Sequence, residues 1–166
     1  MTAPPPRFTV VPVSAQRTFW IGGQRQSVIV GGPETGNRYA LSHSTVVVGG
    51  GALEHHHSQE AEAFYVITGT LRFSIDGQMV TLDKGAFLHA EPGLKYSFEA
   101  VGPDSAEVLI LYAPAGLERF IAEAGIADPD DPAQSQRAFR RSIDEAGAVL
   151  AASPTYGVRY TAAEKP

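Results

Sequence analysis

Short runs of alternating apolar and polar residues dominate the middle of the chain. Leu71, Phe73 and Ile75 alternate with polar residues, which is the period of a strand with one buried face. Further predicted strands lie at 26–30, 39–48, 62–67, 79–82, 87–89, 96–98 and 107–112. Turn sequences such as Asp76-Gly77 separate them, and no helical pattern interrupts residues 39–112. This arrangement is typical of an antiparallel sandwich or barrel.

The pattern changes after Pro114. Apolar residues between positions 117 and 124 recur at helical spacing, and Gly125 is a natural stop. A second helix is predicted to begin at Asp131-Pro132, a capping residue followed by a first-turn proline, and to end at Ser153-Pro154. The tail Y-G-V-R-Y, residues 156–160, is expected to pack back as a strand or to lie over a neighbour.

These patterns predict an all-β sandwich or barrel with C-terminal α-helices. Residues 1–16 are expected to form a flexible arm, with an edge strand at Phe8–Val13 as an alternative. Residues 17–114 are expected to form the barrel, and residues 115–166 a helical extension and tail that pack on it. Trp20, the only tryptophan, is expected to anchor the core, with substrate stacking as the alternative.

Bulk composition limits the function classes. The 166 residues suit one domain, and the formal net charge of −5 without a basic stripe disfavours nucleic acid as a partner. No cysteine is present, so any metal must use nitrogen and oxygen ligands. The first residues lack the apolar core of a signal peptide, and no apolar run approaches a membrane span. A cytoplasmic protein without membrane partners is therefore expected.

Candidate chemistry is concentrated between Gly49 and Gly69, a stretch that holds three of the five histidines. His55 and His57 are two apart, so on a strand their imidazoles point the same way. Glu62 follows after a polar break that can turn the chain back. Two imidazoles and one carboxylate on neighbouring strands form a ligand set for a first-row transition metal. The alternative is a run of solvated loop histidines.

Nearby residues are expected to have lesser roles. His56 should point away from its neighbours, Glu60 is a substitute for Glu62 as the site carboxylate, and Glu54 is expected to be solvated. His43, inside a predicted strand, is expected to be structural. Phe64, Tyr65 and Phe73 are candidates for pocket walls, although plain core packing is the favoured interpretation for each of them.

In this stretch the chain resembles the cupin family. The first cupin motif reads G-x5-H-x-H-x4-E-x6-G, and Gly49, His55, His57, Glu62 and Gly69 fit it at every spacing. The resemblance implies a cupin-type antiparallel β-barrel, a double-stranded β-helix or jelly roll. It also implies one divalent transition metal per chain, with Fe, Mn, Ni, Co, Cu and Zn all open.

The second cupin motif, G-x5-P-x-G-x2-H-x3-N, fits less well. Gly85 and Gly93 match, the proline comes one position late as Pro92, and Tyr96 takes the position of the histidine that is normally the fourth ligand. Three alternatives follow: Tyr96 ligates the metal as a phenolate, Tyr96 stands back and hydrogen-bonds the substrate, or the site binds no metal. His89, on the same predicted strand, is a further substitute ligand.

The likeness extends to single-domain bacterial cupins of the quercetin (flavonol) dioxygenase-like group. It is carried by the strings F-W-I-G-G, E-A-F-Y-V-I-T-G-T-L-R-F and P-A-G-L-E-R-F-I-A-E-A-G. The resemblance implies a homodimer and a metal that binds the oxygens of an aromatic substrate. It also implies that Glu62 is both a ligand and the base for a substrate hydroxyl, with Tyr96 as the second catalytic candidate.

Three functions follow from this resemblance. The leading hypothesis is a metal-dependent, quercetinase-like oxygenase that acts on a small aromatic or polyketide-like compound. The second is a non-oxidative cyclase or isomerase with a redox-inert metal. The third is a small-molecule-binding cupin without turnover, because fold alone does not decide function.

Overall fold

Two antiparallel sheets form the body of the protein in the computed structural model, which describes residues 7–161. The strands in chain order are β1 (Arg17–Ile21), β2 (Gln24–Val30), β3 (Ala40–Val46), β4 (Gly51–His57), β5 (Ala61–Thr68), β6 (Thr70–Ile75), β7 (Gln78–Asp83), β8 (Phe87–Ala90), β9 (Tyr96–Val101), β10 (Ala106–Ala113), β11 (Ile126–Ala127) and β12 (Val158–Tyr160). One sheet has the order β11-β1-β2-β3-β10-β5-β8, and the other has the order β12-β4-β9-β6-β7. The predicted antiparallel barrel of short strands is confirmed.

Alternation along each strand directs one set of side chains into the space between the sheets. In β10 every second residue is buried, from Ala106 to Tyr112, and β3 and β9 follow the same rule. The resulting core is rich in aromatic rings, with Phe64, Phe73 and Phe98 in mutual contact at centroid distances of 5.1–5.6 Å. These rings belong to one continuous hydrophobic core that stabilises the fold.

Two glycines of the first cupin motif are required by backbone geometry. Gly49 and Gly69 have φ values of +77° and +76°, a region that L-residues with side chains rarely occupy. A Cβ at Gly69 would also lie 2.7 Å from the Ala106 Cα. Gly49 and Gly69 therefore allow the turns that precede β4 and follow β5.

The helices are α1 (Gly32–Thr35), α2 (Leu117–Ala124), α3 (Pro132–Asp144) and α4 (Ala146–Ala152). The helix predicted between 117 and 124 is confirmed, and Asp131 caps α3 by accepting a hydrogen bond from the Gln134 backbone N–H at 2.9 Å. The single helix predicted from 132 to 153 is wrong in one respect. It breaks at Glu145 (φ −96°, ψ 28°), next to a segment weakened by Gly147.

Helix α3 is fixed to the barrel through Trp20. The indole contacts the Phe139 ring edge-on at 5.1 Å and donates a hydrogen bond to Asp128 Oδ1 at 2.9 Å. Arg25 Nε donates to the other oxygen of the same carboxylate at 2.7 Å. Trp20 is thus a buried packing residue, as the sequence predicted.

The segment before β1 has little regular structure. The edge strand considered for Phe8–Val13 does not form, and a single 3-10 turn covers Val13–Ala15. Phe8 is 81% exposed, so the segment gains too little apolar burial to order a strand. Residues 1–6, the beginning of the predicted arm, lie outside the described residues.

Candidate metal centre

Three buried side chains meet between β4 and β5. His55 and His57 lie on the inner face of β4, and Glu62 lies on the inner face of β5. His55 Nε2 is 3.1 Å from His57 Nε2, and His57 Nε2 is 3.4 Å from Glu62 Oε2. Their ligand atoms all lie within 4.8 Å of one another, so the cluster could hold a metal ion.

The Nε2 atoms of the two imidazoles face each other because of their other contacts. His55 Nδ1 donates a hydrogen bond to the Leu53 carbonyl oxygen at 2.7 Å, which leaves the Nε2 lone pair free for a cation. His57 Nδ1 faces Glu60 Oε2 at 3.9 Å. The His55 hydrogen bond is of the kind that fixes the ring orientation of metal-binding histidines, whereas the His57–Glu60 distance is too long for a hydrogen bond.

Burial keeps both histidines neutral. It lowers the pKa of His55 to about 4, with the charge of His56 acting in the same direction. It lowers the pKa of His57 to about 3, with His55 and His56 adding to the effect. Neutral imidazoles are the form that binds metal ions.

Glu62 completes a donor set that fits a divalent ion. Burial raises the pKa of its carboxyl well above the usual range, and the neighbouring Glu60 adds to the shift. A cation at this point would compensate the buried negative charge. Two nitrogens bound to one ion at about 2.1 Å, with bonds near a right angle, lie roughly 3 Å apart, as the two imidazole nitrogens do here.

Tyr96 stands opposite His55 in the β4–β9 register. Its ring is 4.8 Å from the His55 ring and 6.4 Å from the His57 ring, and only 2% of the residue is exposed. The Tyr96 hydroxyl is buried and has no hydrogen-bond partner among residues 7–161.

A cavity of about 700 Å³ opens from the three ligand candidates. It passes the glycine-rich connection 49–51 and reaches the apolar side of α2, α3 and α4, where Phe120, Phe139 and Leu150 line it. Of the three wall candidates, Phe64 lines the cavity. Phe73 is buried in the core, and Tyr65 is on the outer face, 46% exposed.

Two tyrosines that the sequence did not single out lie near Glu62. Tyr112 is the direct cross-strand neighbour of Glu62, and burial together with the Glu62 charge raises its pKa well above the usual range. Tyr160 of β12 pairs with His55, its ring lying 5.2 Å away, and the same two causes raise its pKa to about 12. Strand alternation alone could have placed Tyr112 on the inner face, because it follows Val108 and Ile110 at steps of two.

Two buried glutamines on β2 were also missed. Gln24 and Gln26 are each 5% exposed and line the same cavity. The signal was present in the sequence, because steps of two place both on the face of Val28.

The candidates His43, His89 and Glu54 have partners of their own. His43 is 3.6 Å from Glu107 on the outer surface, and His89 pairs with Glu91 at 3.0 Å, so neither substitutes as a ligand. Glu54 accepts a hydrogen bond from Thr161 at 2.8 Å.

Comparison with known proteins places this geometry in a family. Residues 42–112 match the model of the Cupin domain family. The quercetin 2,3-dioxygenase of Bacillus subtilis (strain 168) is 26% identical over 104 residues, which are 63% of this chain and 31% of that protein. The chain thus spans about a third of the length of the curated relative it matches.

Solved structures agree on the fold. Streptomyces Pac13, described as a nucleoside dehydratase, superposes with a TM-score of 0.56 at 18% identity, covering 67% of this chain and 86% of Pac13. A Thermotoga maritima protein described as a predicted oxalate decarboxylase gives a TM-score of 0.58 at 19% identity, covering 64% of this chain and 99% of its own. At such identities the likeness concerns the fold alone. Residues 42–112 thus carry a cupin domain, and the two-sheet barrel and the histidine–glutamate cluster agree with that assignment.

Proposed function

We propose that this protein is a metal-dependent cupin enzyme, an oxygenase that acts on a small, largely apolar aromatic compound. The observation that carries the proposal is the buried cluster of His55, His57 and Glu62 at the inner end of a cavity of about 700 Å³. Partial likeness to a quercetin dioxygenase supports the reaction class. Three protein ligands of this kind leave coordination positions open for substrate.

In this proposal His55, His57 and Glu62 hold one divalent metal, which when bound would supply Lewis-acid polarisation of a substrate hydroxyl or enol. The chain itself orients the substrate and receives its proton. Glu62 is the proposed base, because its carboxylate lies at the inner end of the cavity and the surrounding burial favours its protonated form. The apolar side chains of α2, α3 and α4 keep bulk water from the aromatic part of the substrate.

Tyr96 is proposed as a fourth ligand or as a support for the two imidazoles. Its buried hydroxyl lacks a hydrogen-bond partner among the described residues. Because an unsatisfied buried hydroxyl costs free energy, a bound ion that contacts this oxygen would remove that cost. Direct contact with substrate is less well supported, because Tyr96 does not belong to the described residues that line the cavity.

A non-oxidative reaction is the second candidate function. Tyr112 and Tyr160 are buried beside Glu62 and remain protonated at neutral pH, so they can donate protons in an elimination or isomerisation that needs no oxygen. The fold neighbour Pac13 is described as a dehydratase. This reaction class would use a redox-inert metal in the same site.

Metal content and oxygen uptake separate the two candidates. Tag-free wild type and Glu62→Gln are analysed for metal, reconstituted separately with Fe²⁺, Mn²⁺, Ni²⁺ and Zn²⁺, and supplied with quercetin as the aromatic probe. The oxygenase proposal expects about one redox-active metal per wild-type chain and oxygen uptake that Glu62→Gln abolishes. Metal binding without oxygen uptake would favour the non-oxidative reaction. Failure to bind any of the four metals would refute both.

A further inference from the structure

Buried amide groups cover part of the inner face of the first sheet, on strand β2, which carries none of the three candidate metal ligands. Gln24 and Gln26 point inward from β2, and Ser42 and Ser44 point inward from β3, all at 5% exposure or less. Their neighbours on the same faces are apolar, among them Val28 and Val46. Burying an amide without need costs free energy, so this polar surface requires an explanation.

The side chains form one directed chain of hydrogen bonds. Tyr112 donates to Gln26 Oε1 at 3.3 Å, and Gln26 Nε2 donates to Gln24 Oε1 at 3.3 Å. Ser44 donates to the same oxygen at 3.3 Å, and Gln24 Nε2 donates to the Gly51 carbonyl at 3.1 Å. The chain therefore runs from the neighbour of Glu62 to the glycine-rich connection that borders the cavity.

This direction determines which groups are left for a ligand. Among described residues, Gln24 Oε1 accepts two hydrogen bonds and Gln26 Oε1 accepts one, while each amide nitrogen uses one of its two N–H hydrogens. Gln24, Gln26 and Tyr112 all line the cavity. The amide surface formed by Gln24 and Gln26 thus offers donors and would pair with an acceptor.

Charge on the cavity wall indicates that the acceptor is neutral. Of the described residues that line the cavity, Arg72 is the one lysine or arginine. Both its Nε and its Nη2 donate to Glu99 Oε1, so its charge is already paired. No lysine or arginine of the described cavity lining is free to pair with a carboxylate or phosphate beside the amides, whereas a carbonyl oxygen needs only an N–H donor.

We infer that Gln24 and Gln26 form a second recognition point that binds an uncharged carbonyl-type oxygen of the ligand, separate from the metal ligands. The inference deepens the proposed function, since it rests on the same cavity being the substrate site and names a chemical feature of the substrate. It predicts discrimination between a ketone and a hydrocarbon of the same size.

The test compares 2-acetylnaphthalene with 2-ethylnaphthalene, which differ by a carbonyl in place of a methylene. Neither probe carries a chelating group, and binding is measured by equilibrium dialysis on full-length protein, both as purified and after chelator treatment. The ketone is expected to bind about tenfold more tightly to wild type, which is what one well-placed hydrogen bond gives. The result does not depend on metal or turnover, so failure of this inference and failure of the proposed function are distinguishable.

Substitutions of the two glutamines test whether their amide groups cause the preference for the ketone. Gln26→Leu is expected to reduce the ketone preference to about 1 while leaving binding of 2-ethylnaphthalene intact, and Gln24→Leu provides the same comparison should Gln26→Leu not fold. Gln78→Leu, the same change on the exposed strand β7, is the matched control and should keep the preference. Equal binding of the two probes by wild type, binding of neither, or an unchanged preference in the folded glutamine variants would overturn the inference.

Discussion

Replacing His57 with alanine is expected to empty the metal centre while the barrel stays folded. His57 Nε2 is the ligand atom in contact with both of the others, at 3.1 Å from His55 Nε2 and 3.4 Å from Glu62 Oε2. Its removal leaves one imidazole and one carboxylate of the three clustered ligand candidates, which should weaken a transition-metal site strongly whether or not Tyr96 adds a ligand.

The expected loss of affinity follows from the position of His57 in the donor set. Loss of an outer partner of a ligand typically costs 10–100-fold in metal affinity, so loss of a direct ligand should exceed about 100-fold. At about 1.4 kcal/mol per tenfold, this is more than roughly 2.8 kcal/mol.

The cost to folding should be smaller. His57 is 4% exposed, but its Nδ1 has no hydrogen-bond partner among residues 7–161, so truncation leaves mainly a void. We expect a loss of about 1–3 kcal/mol in the free energy of unfolding, which corresponds to a fall in Tm of roughly 3–10 °C for a chain of this size.

Calorimetric titration of tag-free, chelator-treated protein with Zn²⁺ and Mn²⁺ measures the first effect, and circular dichroism melting measures the second. His56→Ala is the matched control, because His56 lies on the opposite face of the same strand and should bind metal as wild type does. Stoichiometric metal binding by His57→Ala with wild-type affinity would show that the ligand assignment is wrong.

Three further changes test how the fold supports the site. Asp128→Asn should lower the free energy of unfolding by about 1–3 kcal/mol, because it weakens the hydrogen bonds to this carboxylate. Burial tends to raise the pKa of Asp128, but hydrogen bonds from a serine, an arginine and a tryptophan outweigh this effect and lower the pKa. Stability from this ionised carboxylate is present above its unfolded pKa of about 3.9 and is lost as pH falls through the lower folded value, so the difference in Tm between wild type and variant should narrow in acid. Gly51→Ala should prevent stable folding, because the added Cβ would lie 1.9 Å from a carbonyl oxygen of β9. Gly147→Ala, on the exposed helix α4, is the control: its Cβ meets nothing within 4 Å, and the substitution should raise Tm slightly. Ending the chain at Gly157 removes β12 and should weaken metal binding in the same titration, because β12 pairs with the strand that carries both histidines.

Much of the candidate metal centre could be predicted from local sequence. A strand repeats its side-chain direction every two residues, so the spacing of His55 and His57 already implied convergent imidazoles, and the polar break before Glu62 implied a turn. The same rule separated His56 from its neighbours and predicted β6 from the alternation around Phe73. The cap at Asp131 likewise depends only on adjacent residues.

What the sequence alone could not determine was which distant strands become neighbours. Tyr160 reaches His55 because β12 pairs with β4 across about a hundred residues, and Tyr112 adjoins Glu62 because β10 pairs with β5. Pairing between remote strands is selected by the burial of the whole core and not by any local pattern. The sequence therefore determined the direction of His55, His57 and Glu62 within their strands. Only the tertiary structure determined which tyrosines, glutamines and helices lie beside this candidate metal centre, because it selects which remote strands pair.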